Sequence, residues 1–179
     1  MGVQDIAEAL RRAERVLERR PKAGLSDDSV ATVSWQGGLR VQAQHADGHR
    51  VQTDMASELG GSGDRVSPGW LLRAGLASCL ATSIAMQAAA RGFALARLEV
   101  RAASRSDLRG LLGLSDAAGA AVSPGPQDVE LQVSIDAESA TADQLRELVV
   151  EAHRRAPVSA AMATAIPIRL SIDAKGSAS

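Results

Sequence analysis

The stretch Ser67–Ile84, SPGWLLRAGLASCLATSI, decides the fold. Ser67 offers a side-chain oxygen where a first-turn amide needs an acceptor, and Pro68 fits the first helical position, where an amide hydrogen would have no partner. Leu72, Gly75, Leu76, Cys79, Ser83 and Met86 then follow helical spacing. Leu80, Ile84 and the intervening alanines extend the apolar surface almost all the way round. The spacing predicts a long helix over 68–91, closed at Arg91-Gly92, where glycine suits the left-handed residue after a helix end. A helix without a polar face belongs in a core or an interface.

Upstream of it, Ser57–Ser67 is a Gly-rich loop preceded by three candidate strands. Ser29–Trp35, Leu39–Ala46 and His49–Met55 alternate apolar and polar residues, and Gly37-Gly38 and Asp47-Gly48 are two-residue hairpin signals between them. Further back, Val3, Ile6, Leu10, Ala13, Val16 and Leu17 line one face of a helix over 3–20, stopped by Pro21 and Gly24. Residues 1–24 thus form a helical extension to a domain over 25–175.

Downstream, Leu95–Ser104 and Val129–Ile135 read as strands. The segment between them is irregular, with one turn of helix in Asp107–Leu114. Thr141 with Gln144 is a capping box opening a helix to Arg155. Pro157 starts a short helical turn, and Ile166–Ile172 alternates as a last strand. Helix, three strands, helix, two strands, helix, strand is an α+β order without βαβ alternation, so antiparallel pairing is expected.

Composition narrows function. A net charge of −1 gives no field for nucleic acid or anionic membrane. Trp35, Trp70 and Phe93 are too few aromatics for stacking bases. One cysteine excludes an intrachain disulfide and a multi-cysteine zinc site. No continuous apolar run approaches the roughly 18 residues needed to span a bilayer, and the charged first 20 residues contain no signal-peptide core. The expectation is a cytoplasmic protein without metal or cofactor. Gly60-Gly61-Ser62-Gly63 lacks the frame of a phosphate loop, and no G-x-S-x-G elbow is present. His45 and His49 flank a turn, where exposure is expected.

Cys79 is the one residue with nucleophilic chemistry of its own. On an apolar helix face it also fits as a small core residue. Reactivity requires a nearby cation, helix N-terminus or hydrogen-bond donor, and at mid-helix that group must come from elsewhere in the fold. His153 is a candidate supporting side chain.

The stretch around Cys79, preceded by Leu59-Gly60-Gly61 and followed by Ala152-His153-x-x-x-Pro157-Val158-Ser159, resembles the OsmC / organic-hydroperoxide-resistance family. The resemblance covers roughly residues 29–173. It implies an intertwined homodimer in which antiparallel sheets wrap two long central helices. It also implies a thiol-dependent peroxidase in which Cys79 attacks an organic hydroperoxide, an Arg and a Glu hold thiolate and substrate, and a second cysteine resolves the sulfenic acid. Three positions depart from the family pattern. Ala156 stands where the resolving cysteine belongs. Gly69 and Trp70 occupy the place of the glutamate, which against the family pattern makes Trp70 a candidate apolar wall. Leu39 occupies the place of the arginine, which makes Arg40 a candidate supporting side chain, one residue late and, on a regular strand, on the opposite face unless a bulge shifts the register. The resemblance therefore implies either a hydroperoxide reductase served by an external thiol reductant or a non-catalytic dimer that binds a small hydrophobic molecule. A purely structural dimer is the third reading.

Overall fold

The computed structural model describes residues 2–175. Helix α1 spans Val3–Arg19, and a short 3₁₀ turn, Pro21–Gly24, follows it. Strands β1 (Thr32–Gly37), β2 (Arg40–Gln44) and β3 (Arg50–Thr53) form an antiparallel meander. The long helix α2 covers Pro68–Ala90. Strand β4 (Leu95–Arg105) pairs antiparallel with β5 (Gln127–Ala137), and a single helical turn, α3 (Leu108–Leu111), lies in the connection. Helices α4 (Ala142–Arg155) and α5 (Pro157–Ala163) complete the order.

Local chemistry explains the boundaries. The Ser67 hydroxyl accepts from the Trp70 amide at 3.2 Å, a cap that contributes about 1 kcal/mol. Thr141 and Gln144 close their capping box reciprocally, at 2.8 and 3.3 Å. Gly37 and Gly38 turn the first hairpin with φ of 104° and 56°, values that side-chain-bearing residues rarely adopt. The register between β1 and β2 slips at this turn, between Trp35 and Gly37.

Helix α2 is the scaffold against which α1, β4, α4 and α5 all pack. Its Leu76, Leu80, Ile84 and Ala88 recur every fourth residue and are buried. Leu80, Ile84 and Ala88 join Leu148, Ala152 and Ala156 in the core, with the inward residues of β4 and β5 (Leu98, Val100, Leu131, Val133, Ile135) packed against them. Each fully buried Leu or Ile there contributes about 2 kcal/mol.

Two expectations need correction. Ile166–Ile172 is not a strand: the segment has no regular secondary structure and joins no ladder, and Ile168 is 93% exposed. A strand exists only beside another edge, and a single chain brings none to this segment. Pro167, which lacks an amide hydrogen, weakens its pairing capacity further. Second, although no uninterrupted run is long enough, one helix averages as apolar as a membrane span: an 18-residue window of Pro68–Ala90 has a mean hydropathy of 1.3. Interspersed Ala, Gly and Ser break the run without lowering the average. Leu72 and Met86 of this helix, like Ile166, Leu170 and Ile172, remain exposed in one chain.

Candidate functional site: the Cys79 thiol and the Arg40 clamp

Cys79 lies at the middle of α2, half-buried beside the core cluster that includes Ala156. The backbone amide of Val158 donates to its Sγ at 3.4 Å. That amide has no acceptor within α5, because the helix begins at Pro157 and first-turn amides have no intrahelical carbonyl to reach. The break between α4 and α5, enforced by Pro157, therefore turns a free backbone donor onto the thiol. The donor that reaches Cys79 is a main-chain amide, which no side-chain pattern announces.

The residues singled out as supports lie differently. Arg40 belongs to a separate ionic clamp. Its Nε and Nη2 donate to Asp54 Oδ2 at 3.4 and 3.2 Å, and Nη2 also bonds Asp64. Asp54 is only 3% exposed and accepts the amides of Met55 at 2.8 Å and Ser62 at 3.3 Å. These bonds hold its carboxyl below the ordinary aspartate range, the Met55 amide having the largest influence and burial opposing it. Bonding to Asp54 raises the Arg40 guanidinium above its already high range, burial again opposing. The register slip at Gly37 is the kind of bulge that frees Arg40 from strict alternation, and the side chain goes to the carboxylates. The clamp closes the Gly-rich loop onto β2 and β3. Gly61 is obligatory there, since a Cβ would sit 1.9 Å from the Met55 carbonyl oxygen. A cavity of about 240 Å³ beside the clamp is lined by Gly37, Gly38, Arg40, Asp54, Gly61 and Ser62, among others.

His153, in the last turn of α4, is exposed and borders a cavity of about 420 Å³ whose other walls include Leu80, Leu131, Val133 and Val149. It therefore faces the sheet side of the core. Trp70 stands in the first turn of α2 with 47% of its surface exposed. It is nine residues, or about 13 Å of helix, from Cys79. None of the three makes the hydrogen bond at Sγ. Sequence reasoning misses Asp54 and Asp64, because ion pairs 14 and 24 residues apart leave no local periodic signal.

His45 and His49 both approach Asp47 Oδ1, at 2.8 Å each, on the exposed turn expected for them. Among the described residues no group of three or more His, Cys, Asp or Glu side chains is arranged to hold a metal ion.

The family model for OsmC-like proteins matches residues 61–171, more than half of the chain and the whole of the segment carrying Cys79 and Val158. The chain belongs to the OsmC-like family. Solved structures agree on the fold. An OsmC-like protein from Mycoplasma pneumoniae superposes with a TM-score of 0.64 at 14% identity, covering 78% of this chain and 89% of its own. An OsmC-like protein of unknown function from Vibrio cholerae gives 0.60 at 16%, covering 75% and 93%. An organic hydroperoxide resistance protein from Legionella pneumophila gives 0.53 at 21%, covering 77% and 90%. No curated protein matches the chain. The α1 extension lies outside the segment that the family model matches.

Proposed function

We propose that this OsmC-like protein reduces organic hydroperoxides through Cys79, as a homodimer, with an external thiol as reductant. The observation that carries the proposal is the Val158 amide at 3.4 Å from Sγ. A fixed donor orients the sulfur at the α2–α5 seam and needs no neighbouring side chain to do so. The thiolate attacks the distal oxygen of R–O–OH. The O–O bond breaks, the alkoxide takes up a proton to leave as ROH, and Cys79 becomes a sulfenic acid. Because the chain has no second cysteine, an external thiol then condenses with the sulfenic acid, releasing water, and a second thiol displaces it as a disulfide, restoring Cys79. A reducing cytoplasm supplies such thiols. The dimer is supported by the apolar surface that α2 and Ile166–Ile172 leave open.

The test is trapping. Folded protein is treated with stoichiometric tert-butyl hydroperoxide in the presence of dimedone, and the adduct is located by mass spectrometry, with Cys79→Ser as control. A dimedone adduct on Cys79 within seconds to minutes is expected. A thiol that stays inert in the folded protein but is alkylated freely after unfolding overturns the proposal. In that case the second reading gains: the cavity of about 420 Å³ beside Leu80, largely lined by apolar side chains, suits a small hydrophobic ligand, and lipid recovered by extraction of the purified protein would support it.

A further inference from the structure

Among the described residues one buried side-chain polar atom lacks a hydrogen-bond partner, and it is the hydroxyl of Ser159. Ser159 is 8% exposed and immediately follows the residue whose amide reaches Cys79 Sγ. Chain geometry alone keeps its Oγ within about 10 Å of the sulfur. Ala156 caps the start of α5 and Ser159 is the third residue of that helix, and both are buried. Ala156 belongs to the core cluster against which Cys79 packs, and α5 packs on α2. The free hydroxyl therefore lies buried in a turn that packs on the helix bearing the thiol.

A buried hydroxyl without a partner is costly, and alanine at the same place would remove the cost with no loss of packing. An unmade bond of this kind calls for a partner that arrives from outside. We infer that Ser159 donates a hydrogen bond to the oxygen of the hydroperoxide, and so is a catalytic donor for the reaction proposed above, on which the inference rests. When Sγ attacks the distal oxygen and the O–O bond breaks, negative charge moves onto the departing RO oxygen. A hydroxyl that already lacks a partner can stabilise this charge without first giving up another bond. The Val158 amide holds the sulfur, and the Ser159 hydroxyl holds the oxygen, so two adjacent residues serve the two ends of the bond being exchanged. The substrate it selects for is a small peroxide whose oxygen can enter the seam between α2 and α5.

The test compares wild type with Ser159→Ala and Ser159→Thr in three measurements: second-order oxidation by tert-butyl hydroperoxide, alkylation by iodoacetamide, and thermal midpoint. Ser159→Ala is expected to be oxidised about 10- to 100-fold more slowly, with alkylation unchanged and a midpoint equal to or above wild type. Ser159→Thr, which keeps the hydroxyl, is expected to recover most of the oxidation rate. If Ser159→Ala is oxidised at the wild-type rate while wild type reacts much faster than free cysteine, the role of Ser159 is overturned and Cys79 chemistry stands. If alkylation falls in parallel with oxidation, the residue only shapes access and the inference fails. If wild-type Cys79 itself reacts no faster with the hydroperoxide than free cysteine does, both the inference and the peroxidase proposal fail together.

Discussion

Replacing Ala156 by cysteine tests where the thiol stands. Ala156 is fully buried in the cluster against which Cys79 packs, and the Val158 amide, two residues on, is bonded to Sγ. A thiol added at 156 therefore faces Cys79 across the α2–α5 seam. Oxidation would close a loop of about 78 residues, for which the chain-entropy relation gives about 4.5 kcal/mol of stabilisation as a ceiling. At about 2–4 °C per kcal/mol for a chain of this size, the thermal midpoint should rise by about 10 °C on oxidation and fall back when dithiothreitol is added. Two assays separate placement from reactivity. Diamide should consume both thiols in a monomer-sized species on a non-reducing gel, which checks placement. One equivalent of tert-butyl hydroperoxide should do the same by condensation of a Cys79 sulfenic acid with the introduced thiol, which checks reactivity. If Ala156→Cys keeps two free thiols under diamide, or forms only intermolecular disulfides, then Cys79 and position 156 do not face each other in the way described. The Val158 amide would then not be a built donor at the thiol.

Three further outcomes follow from other parts of the molecule. Leu148→Ala empties a fully buried site between α4 and α2 and should cost about 3 kcal/mol in urea unfolding; a loss below about 1 kcal/mol would mean that this contact is not the centre of the core. Asp54 has a lowered folded pKa, so its contribution is present above the unfolded carboxyl value of about 4 and is lost as pH falls through the lower folded value. Wild type should therefore lose more stability on acidification below about pH 4 than Asp54→Asn does, as read from thermal midpoints at a series of pH values; parallel curves would contradict the clamp. Ile168→Glu places a charge in the most exposed of the four alternating apolar residues of the C-terminal segment and should shift the protein toward monomer in sedimentation velocity, whereas an unchanged species would remove this segment from any interface.

Features set by neighbours in sequence are legible. The capped start of α2, the stripe of α1, the capping box of α4 and the glycine hairpins each arise within a few residues, and each appears within a few residues of its expected place. Ile166–Ile172 is legible only as a pattern. Its alternation is real, but a ladder needs an edge supplied from outside the segment. The site is less readable than the fold. Cys79 stands out because its chemistry is unique in the chain. The partner at its sulfur does not, because a backbone amide has the same identity at every residue and only the helix break at Pro157 gives it direction. Strand alternation alone sets Arg40 apart from the thiol, but its carboxylate partners come from positions that no local pattern connects to it.

The same Pro167 that weakens the C-terminal segment as a strand also limits what that segment can become. Ile166–Ile172 exposes four alternating apolar side chains outside any ladder, a stretch open to pairing with another strand. Proline withholds one main-chain donor, so one side of the segment accepts a neighbour less well than the other. An assembly nucleated there would have a preferred side and a poor one, and growth would tend to stop at a closed pair. One imino acid thus sets the side on which this segment is the poorer template for a further strand.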